Sequence, residues 1–355
     1  MAEIYVNPQK AKEFCIEAFE VLGVPKQDAE TVATNLVEGE LRGLGSHGVS
    51  RMKFYINKLE GGGFNPKPDI KIIRERPSML VMDADNALGA VAGTKAMSMC
   101  IEKAKKTGSA CAAVRKGNHF GIAAFYSMMA LEHNMIGFAT CNSNSLMAVY
   151  GGTSRILGTN PISIAVPAGK RLPLVFDAAT SLVASGKIIV ADIEGKPIPE
   201  GWAMDKDGKS TTNAKEALEG ALLPFGGYKG SGLSIMVDVF SGILTGALFG
   251  LHIGELRGSP EKGQDVGFFY GAVDIDSFED VNTFKTRVDQ MIDELKASKK
   301  AEGAERIYMP GELEFIKKEA NLRNGFKIGS GVLKDLMDIK NKYGLKSNPE
   351  EWLEV

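Results

Sequence analysis

A literal GxGxxG sequence, Gly43-Leu44-Gly45-Ser46-His47-Gly48, follows directly on a stretch in which Ala29, Val32, Ala33, Leu36 and Val37 recur at helical spacing. The dinucleotide turn of a Rossmann fold needs a strand before its glycines and a helix after them, so that a pyrophosphate meets a helix N-terminus. A helix in front of the glycines removes that arrangement. The chain must build its fold around something other than an N-terminal Rossmann unit.

Helix signals continue on both sides of that segment. Asn7-Pro8 reads as an N-cap and first helical residue, and Ala11, Phe14, Cys15, Ala18, Phe19 and Leu22 form one face that stops at Gly23. A third helix is expected from about Ser46, with Met52, Tyr55, Ile56 and Leu59 as its core stripe, ending at Gly61-Gly62-Gly63. After Pro66 and Pro68 the pattern changes to strand (SMLVMDAD), helix (NALGAVAGTKAMSMCIEKAKKTG) and strand (SACAAVRK), a β-α-β unit. A helix over about 120–133, the strand MIGFATCN and the apolar runs PISIAVPA and LPLVFDA follow. A long helix from Lys229, the strand GFFYGAVDID and a helix capped by Ser277 and Asp280 come next. Amphipathic segments at 312–322 and 331–342 close the chain and are expected to return to the N-terminal helices. The pieces on either side of 120–222 read as halves of one α+β domain.

At 355 residues the chain exceeds what one hydrophobic core usually supports, so two or three domains are expected. The 42 basic and 44 acidic residues are interspersed, so no footprint for nucleic acid or an anionic membrane appears. Residues 231–249 are nearly all apolar, but Asp238 stands in the middle, and a buried helix is expected there in place of a membrane span. Cys15, Cys100, Cys111 and Cys141 show no CxxC spacing, and no signal peptide opens the sequence, so a reducing cytoplasm is the expected location.

Three polar clusters carry possible chemistry. Ser46, His47 and Arg51 stand at a helix start, with His47 and Arg51 four apart on one face, where a guanidinium fork suits a carboxylate; an exposed arginine with a capping serine fits them equally. Gly117-Asn118-His119-Phe120-Gly121 follows a strand end, and a histidine titrates near neutral pH as carbonyl–hydroxyl interconversion requires; a structural histidine is the plainer alternative. Pro224-Phe225-Gly226-Gly227-Tyr228-Lys229-Gly230 leads into the apolar helix and combines glycines, an ammonium and a helix N-terminus into an anion site, or else a tight turn. The loops at 141–145, 158–161 and 177–180 offer hydrogen-bonding groups or simple Asx turns. His133 and His252 read as capping or surface residues, and no metal-ligand spacing is present, so no metal is expected.

In order along the chain, LRGLGSHGVSR, GNHFGIAAFY, GTNPISIAVPAG, FDAATSLVASGKI, PFGGYKGSGL and MPGE resemble the malate/L-lactate dehydrogenase-like family, which includes ureidoglycolate dehydrogenases, diketogulonate reductases and sulfolactate dehydrogenases. The resemblance covers nearly the whole chain. It implies a mixed α/β (α+β), non-Rossmann NAD(P)-binding fold, with a helical domain from residues 1–70 and 305–355, a split α+β domain from 71–118 and 223–304, and a cofactor-binding domain at 119–222. It further implies a homodimer and NAD-dependent hydride transfer, NADP not excluded, to or from a small 2-oxo/2-hydroxy acid, with malate/oxaloacetate favoured.

Matched by motif, the resemblance makes His119 and His47 the catalytic histidines, with His119 preferred, and gives Ser46 and Arg51 to the substrate. It gives Ser143, Asp177, Ala178, Ala179, Lys229, Pro310, Gly311 and Glu312 to the cofactor. The segment NSNSLMAVYGG departs from the proline- and tryptophan-containing family version. Ureidoglycolate, lactate, sulfolactate, diketogulonate, a cyclic ketimine and a non-catalytic sensor role are the alternatives.

Overall fold

The computed structural model describes residues 4–353. It opens with β1 (Ile4–Val6), α1 (Pro8–Val21), α2 (Lys26–Leu41), α3 (Met52–Gly61), β2 (Lys71–Arg76), β3 (Met79–Asp83), α4 (Gly89–Thr107), β4 (Ser109–Gly117), α5 (Ala123–Ser127) and β5 (Met135–Cys141). The middle holds β6 (Met147–Ala148), β7 (Arg155–Leu157), β8 (Ile162–Val166), β9 (Leu174–Ala178), α6 (Ser185–Ile193), β10 (Ala203–Met204), α7 (Ala214–Glu219), β11 (Ala221–Leu222) and α8 (Tyr228–Val237). The chain ends with β12 (Val266–Asp274), α9 (Val281–Ala297), α10 (Glu312–Asn324), β13 (Phe326–Ile328) and α11 (Ser330–Tyr343).

The Asn7 carboxamide accepts the Gln9 and Lys10 amide protons at 2.9 and 3.2 Å, which satisfies two orphan donors at the start of α1. Gly62, at φ 83°, closes α3 in the left-handed conformation. Phe14, Phe19, Leu36 and Met52 from the first helices bury against Phe326, Leu336, Ile339 and Trp352 from the C-terminal segment, and β1 pairs antiparallel with β13. Both ends of the chain therefore build one helical layer.

A seven-stranded sheet in the order β2-β3-β4-β12-β5-β8-β9 forms the centre. Only β3 and β4 pair in parallel, as their connection through α4 requires; the remaining pairs are antiparallel. The sheet corrects the expected boundary at residue 119, because β5, β8 and β9 hydrogen-bond into the same sheet as β3, β4 and β12. What stands apart within 119–222 is a four-stranded sheet, β10-β11-β6-β7, with its own small core around Met147, Leu157, Ile188 and Leu222.

Two helix expectations also change. The segment 120–133 holds only the short α5 followed by a 3₁₀ turn, Met128–His133. The long helix from Lys229 is α-helical to Val237 and continues as a π-turn, Asp238–Ile243. Nor is it buried all round. Ser231, Ser234, Asp238, Ser241 and Thr245 face inward, while Leu233, Met236, Phe240, Ile243 and Leu244 are exposed, so the segment is inside out. Asp238 and Ser241 meet Asn142 and Thr140 of the sheet at 3.2 and 2.9 Å, which satisfies that polar inner face. Among the described residues no helix is long and apolar enough to cross a membrane.

Candidate active site

The Ser46–Arg51 segment is two 3₁₀ turns rather than the start of a helix, and α3 begins behind it at Met52. The buried Glu40, in the last turn of α2, supports it from below: its Oε1 accepts the Val49 amide proton at 2.8 Å. A Cβ on Gly48 would fall 2.2 Å from that same oxygen, so the close approach of carboxylate to turn requires glycine. The Ser46 hydroxyl lies 2.9 Å from His47 Nδ1.

His119 is placed by the end of β4. The buried Asn118 donates to the carbonyls of Asn86 and Ala87 and accepts the Gln264 amide proton at 2.8 Å. The His119 amide in turn donates to Gln264 Oε1 at 2.8 Å. These bonds bring the His119 ring to a centroid distance of 5.6 Å from His47, nearly parallel at 24°.

Tyr55 Oη sits 2.6 Å from His119 Nδ1, and the Gly121 amide points at the same nitrogen from 3.4 Å. Burial raises the Tyr55 phenol far above its usual range, so it stays protonated and donates. Nδ1 is thereby an acceptor, and the imidazole proton resides on Nε2. Burial first, then the Arg51 charge, lowers His47 to about 4; the same causes, with His47 added, push His119 well below its ordinary value. Both rings are neutral at pH 7. Arg51 lies within this cluster with its Nε buried and without a hydrogen-bond partner among the described residues.

The expected cofactor residues occupy a connected set of loops. Ser143 donates its amide proton to Asn160 and accepts the Thr159 amide proton on Oγ, each at 3.0 Å. Thr180, directly after Ala178 and Ala179, donates its amide proton to the Thr159 carbonyl at 2.8 Å and accepts the Phe225 amide proton at 3.0 Å. Asp177 Oδ2 accepts the Ala124 amide proton at 2.8 Å, which ties this strand end to the start of α5, and burial raises its carboxyl to about 6. Gly226 and Gly227, at φ 58° and 64°, turn the chain into α8, where Lys229 is exposed and in no ion pair among the described residues. Its ammonium lies 6.0 Å from the Tyr228 ring centroid.

The Pro310 carbonyl accepts the Val175 amide proton at 2.9 Å, and Gly311 at φ 83° approaches Val175 too closely for a Cβ. The Glu312 carboxylate is taken up by Lys296 at 2.7 Å, by Arg306 and by the Met309 amide at 3.0 Å. These contacts fix the carboxylate beside the Pro310–Gly311 turn. His133 and His252 are exposed, the latter against Phe249.

Sequence patterns did not mark Tyr55, Gln264 or Glu40. Tyr55 sits in the core stripe of α3, where burial and function look alike, and Gln264 comes from a loop whose proximity to His119 exists only in three dimensions. Gly186, at the N-terminus of α6, also comes within 3.7 Å of the Ser46 side chain if given a Cβ.

Residues 6–337 match the malate/L-lactate dehydrogenase family model. The chain belongs to the malate/L-lactate dehydrogenase family. The malate dehydrogenase of Pyrococcus horikoshii is 43% identical over 354 residues, 97% of each chain. The solved sulfolactate dehydrogenase of Methanocaldococcus jannaschii superposes with a TM-score of 0.93 at 41% identity, covering 99% of this chain and 100% of that one. The NAD(+)-dependent ureidoglycolate dehydrogenase of Escherichia coli K12 is 32% identical over 315 residues, 89% of this chain and 90% of the other. This family member is thus a mixed α/β, NAD(P)-dependent dehydrogenase of 2-hydroxy acids, acting on a CH–OH donor.

Proposed function

We propose that this family member interconverts oxaloacetate and malate, with NAD as coenzyme, His119 as the proton donor and Arg51 as the grip on the C1 carboxylate. The observation that carries this reading is the neutral His119, held by Tyr55 with its proton on Nε2, next to a guanidinium whose Nε has no partner among the described residues. Its Nε2–H hydrogen-bonds the substrate carbonyl, passes the proton to that oxygen as hydride reaches C2, and is replaced from solvent, which supplies the one proton the reduction consumes. His47, stacked on His119 and bonded to Ser46, orients the substrate oxygen and keeps the pair neutral.

A nicotinamide dinucleotide fits the loops described above. The glycine turn before α8 uses its Gly227, Lys229 and Gly230 amides to close on itself and sets out the exposed Lys229 ammonium, in no ion pair among the described residues, as the partner for a pyrophosphate. Ser143, Asp177, Ala178 and Ala179 supply polar groups near the histidine loop, and Pro310 and Gly311 line the same side of β9. When bound, the coenzyme donates or accepts the hydride at the substrate C2. The protein holds that carbon in place, excludes water and moves the proton.

The inside-out helix from Tyr228 supports a homodimer, since its exposed row of Leu233, Met236, Phe240, Ile243 and Leu244 suits a matching face on a second copy. The four free cysteines, three of them buried, support a cytoplasmic location. The test of the whole reading is absorbance of reduced nicotinamide, using NADH and NADPH in parallel with oxaloacetate, pyruvate and sulfopyruvate. Oxidation of NADH with oxaloacetate in wild type, and its loss in His119→Ala, is expected. Equal turnover by the His119→Ala enzyme would remove His119 from the mechanism.

A further inference from the structure

The loop between α8 and β12 brings a second arginine to the site. Arg257 is exposed, and its guanidinium carbon lies 4.9 Å above the Phe54 ring. Phe54 follows Arg51 by three residues, so the two share one side of the chain as it enters α3. The loop is fixed. Leu256 is buried in the helical core, and the Gly258 amide closes a turn onto the Glu255 carbonyl at 3.1 Å. The buried Lys58 of α3 donates to the carbonyls of Ser259 and Lys262 at 2.7 and 2.8 Å. Gln264, at the loop's far end, is the residue bonded to the His119 backbone.

Neither Arg51 nor Arg257 forms an ion pair among the described residues, although Arg257 is near enough to depress the Arg51 guanidinium, a lesser cause than burial. Two cations near one another, neither in an ion pair among the described residues, repel, and a ligand carrying two anionic groups relieves that repulsion.

We propose that Arg257 selects dianionic substrates: Arg51 takes the C1 carboxylate, and Arg257 takes a second anion at the other end of a short 2-oxo acid. This rests on the function proposed above. The second group is a carboxylate or a sulfonate, since either offers the paired oxygens that a guanidinium fork matches. A monoanionic acid such as pyruvate leaves Arg257 unused and the repulsion unrelieved.

The experiment measures kcat and KM of wild type, Arg257→Ala and Arg257→Lys with oxaloacetate, sulfopyruvate and pyruvate at saturating reduced nicotinamide. In Arg257→Ala the ratio of kcat/KM for oxaloacetate to that for pyruvate should fall about 10- to 100-fold, the range for one lost charge-assisted contact, chiefly through KM. Arg257→Lys should recover part of the ratio. Sulfopyruvate following oxaloacetate shows a shared anion site; a fall for oxaloacetate alone restricts the site to carboxylates and overturns the sulfonate half of the assignment. An unchanged ratio overturns the role of Arg257 while the proposed function stands. If wild type reduces no 2-oxo acid, that function falls by itself, and thermal protection by succinate against butyrate decides the rest. Protection specific to succinate and lost in Arg257→Ala supports the two-cation site, and equal responses overturn it.

Discussion

Glu40 offers a measurable link between the packing of α2 and the site above it. Its carboxyl is buried, receives one hydrogen bond from Val49, and is pushed by that burial from 4.5 to about 7. A carboxyl whose folded pKa is raised binds its proton more tightly in the native state than in the unfolded chain. Its favourable contribution is therefore complete below pH 4.5 and is lost as pH climbs through 7. Integrated between pH 5 and 8, this one group costs roughly 2.5 kcal/mol of stability. Glu40→Gln keeps the acceptor for Val49 and removes the titration. The stability of the variant minus that of wild type should therefore rise by about 2.5 kcal/mol across that range, whatever its value at pH 5. With an unfolding entropy of about 2.1 cal/mol/K per residue, that is roughly 3 °C in melting temperature for a chain of this length. Asp177, raised to about 6, adds a slope of the same sign, and the lowered histidines add one of opposite sign, but both cancel in the difference. Melting curves of the two proteins at half-unit pH steps provide the assay. Parallel curves would refute the reasoning, because they would mean that Glu40 ionises in the folded protein as easily as in the unfolded one.

Tyr55→Phe removes the hydroxyl that keeps His119 Nδ1 an acceptor, and should lower kcat about 10- to 100-fold while leaving KM within about 3-fold. Steady-state kinetics separate the two, and a change confined to KM would place Tyr55 in substrate binding instead. Ile243→Glu combined with Leu244→Glu puts two charges on the exposed apolar row of the α8 segment, and should convert a dimer into monomers in sedimentation velocity. A wild-type protein that already sediments as a monomer at micromolar concentration would deny that face its second copy.

Local rules located most of the elements because their causes are local. Asn7 before Pro8 and glycines at positive φ after α1 and α3 act through their immediate neighbours, and the misplaced GxGxxG was enough to remove the Rossmann alternative. The edge strand β2 escaped notice since Lys71, Arg74, Glu75 and Arg76 give it the charged, fully exposed character by which an outer strand avoids pairing with other chains. The domain boundary failed at residue 119 for a different reason: strand order is set by which faces need covering, and β12 inserts between β4 and β5 from far along the chain. The site divides in the same way. Ser46, His47, Arg51 and His119 stand in recognisable motifs, while Tyr55, Glu40, Gln264 and Arg257 act through contacts between segments distant in sequence or hidden within a core stripe.

The helix after the glycine turn shows what a fuller reading of the pattern would have found. Its hydrophobic content suggested burial, yet Ser231, Ser234, Asp238, Ser241 and Thr245 repeat at intervals of three and four, a polar stripe with the period of a helix. Such a stripe lies either in water or against polar groups. The polar inner side of the sheet at Thr140 and Asn142 takes it up, which leaves the apolar side outward. In the proposed dimer, a second copy covers the apolar side that this arrangement turns outward. The same segment begins at the turn carrying Lys229 and leads into the loop carrying Arg257, so closure of that face would also brace the two cationic elements proposed to recognise coenzyme and substrate.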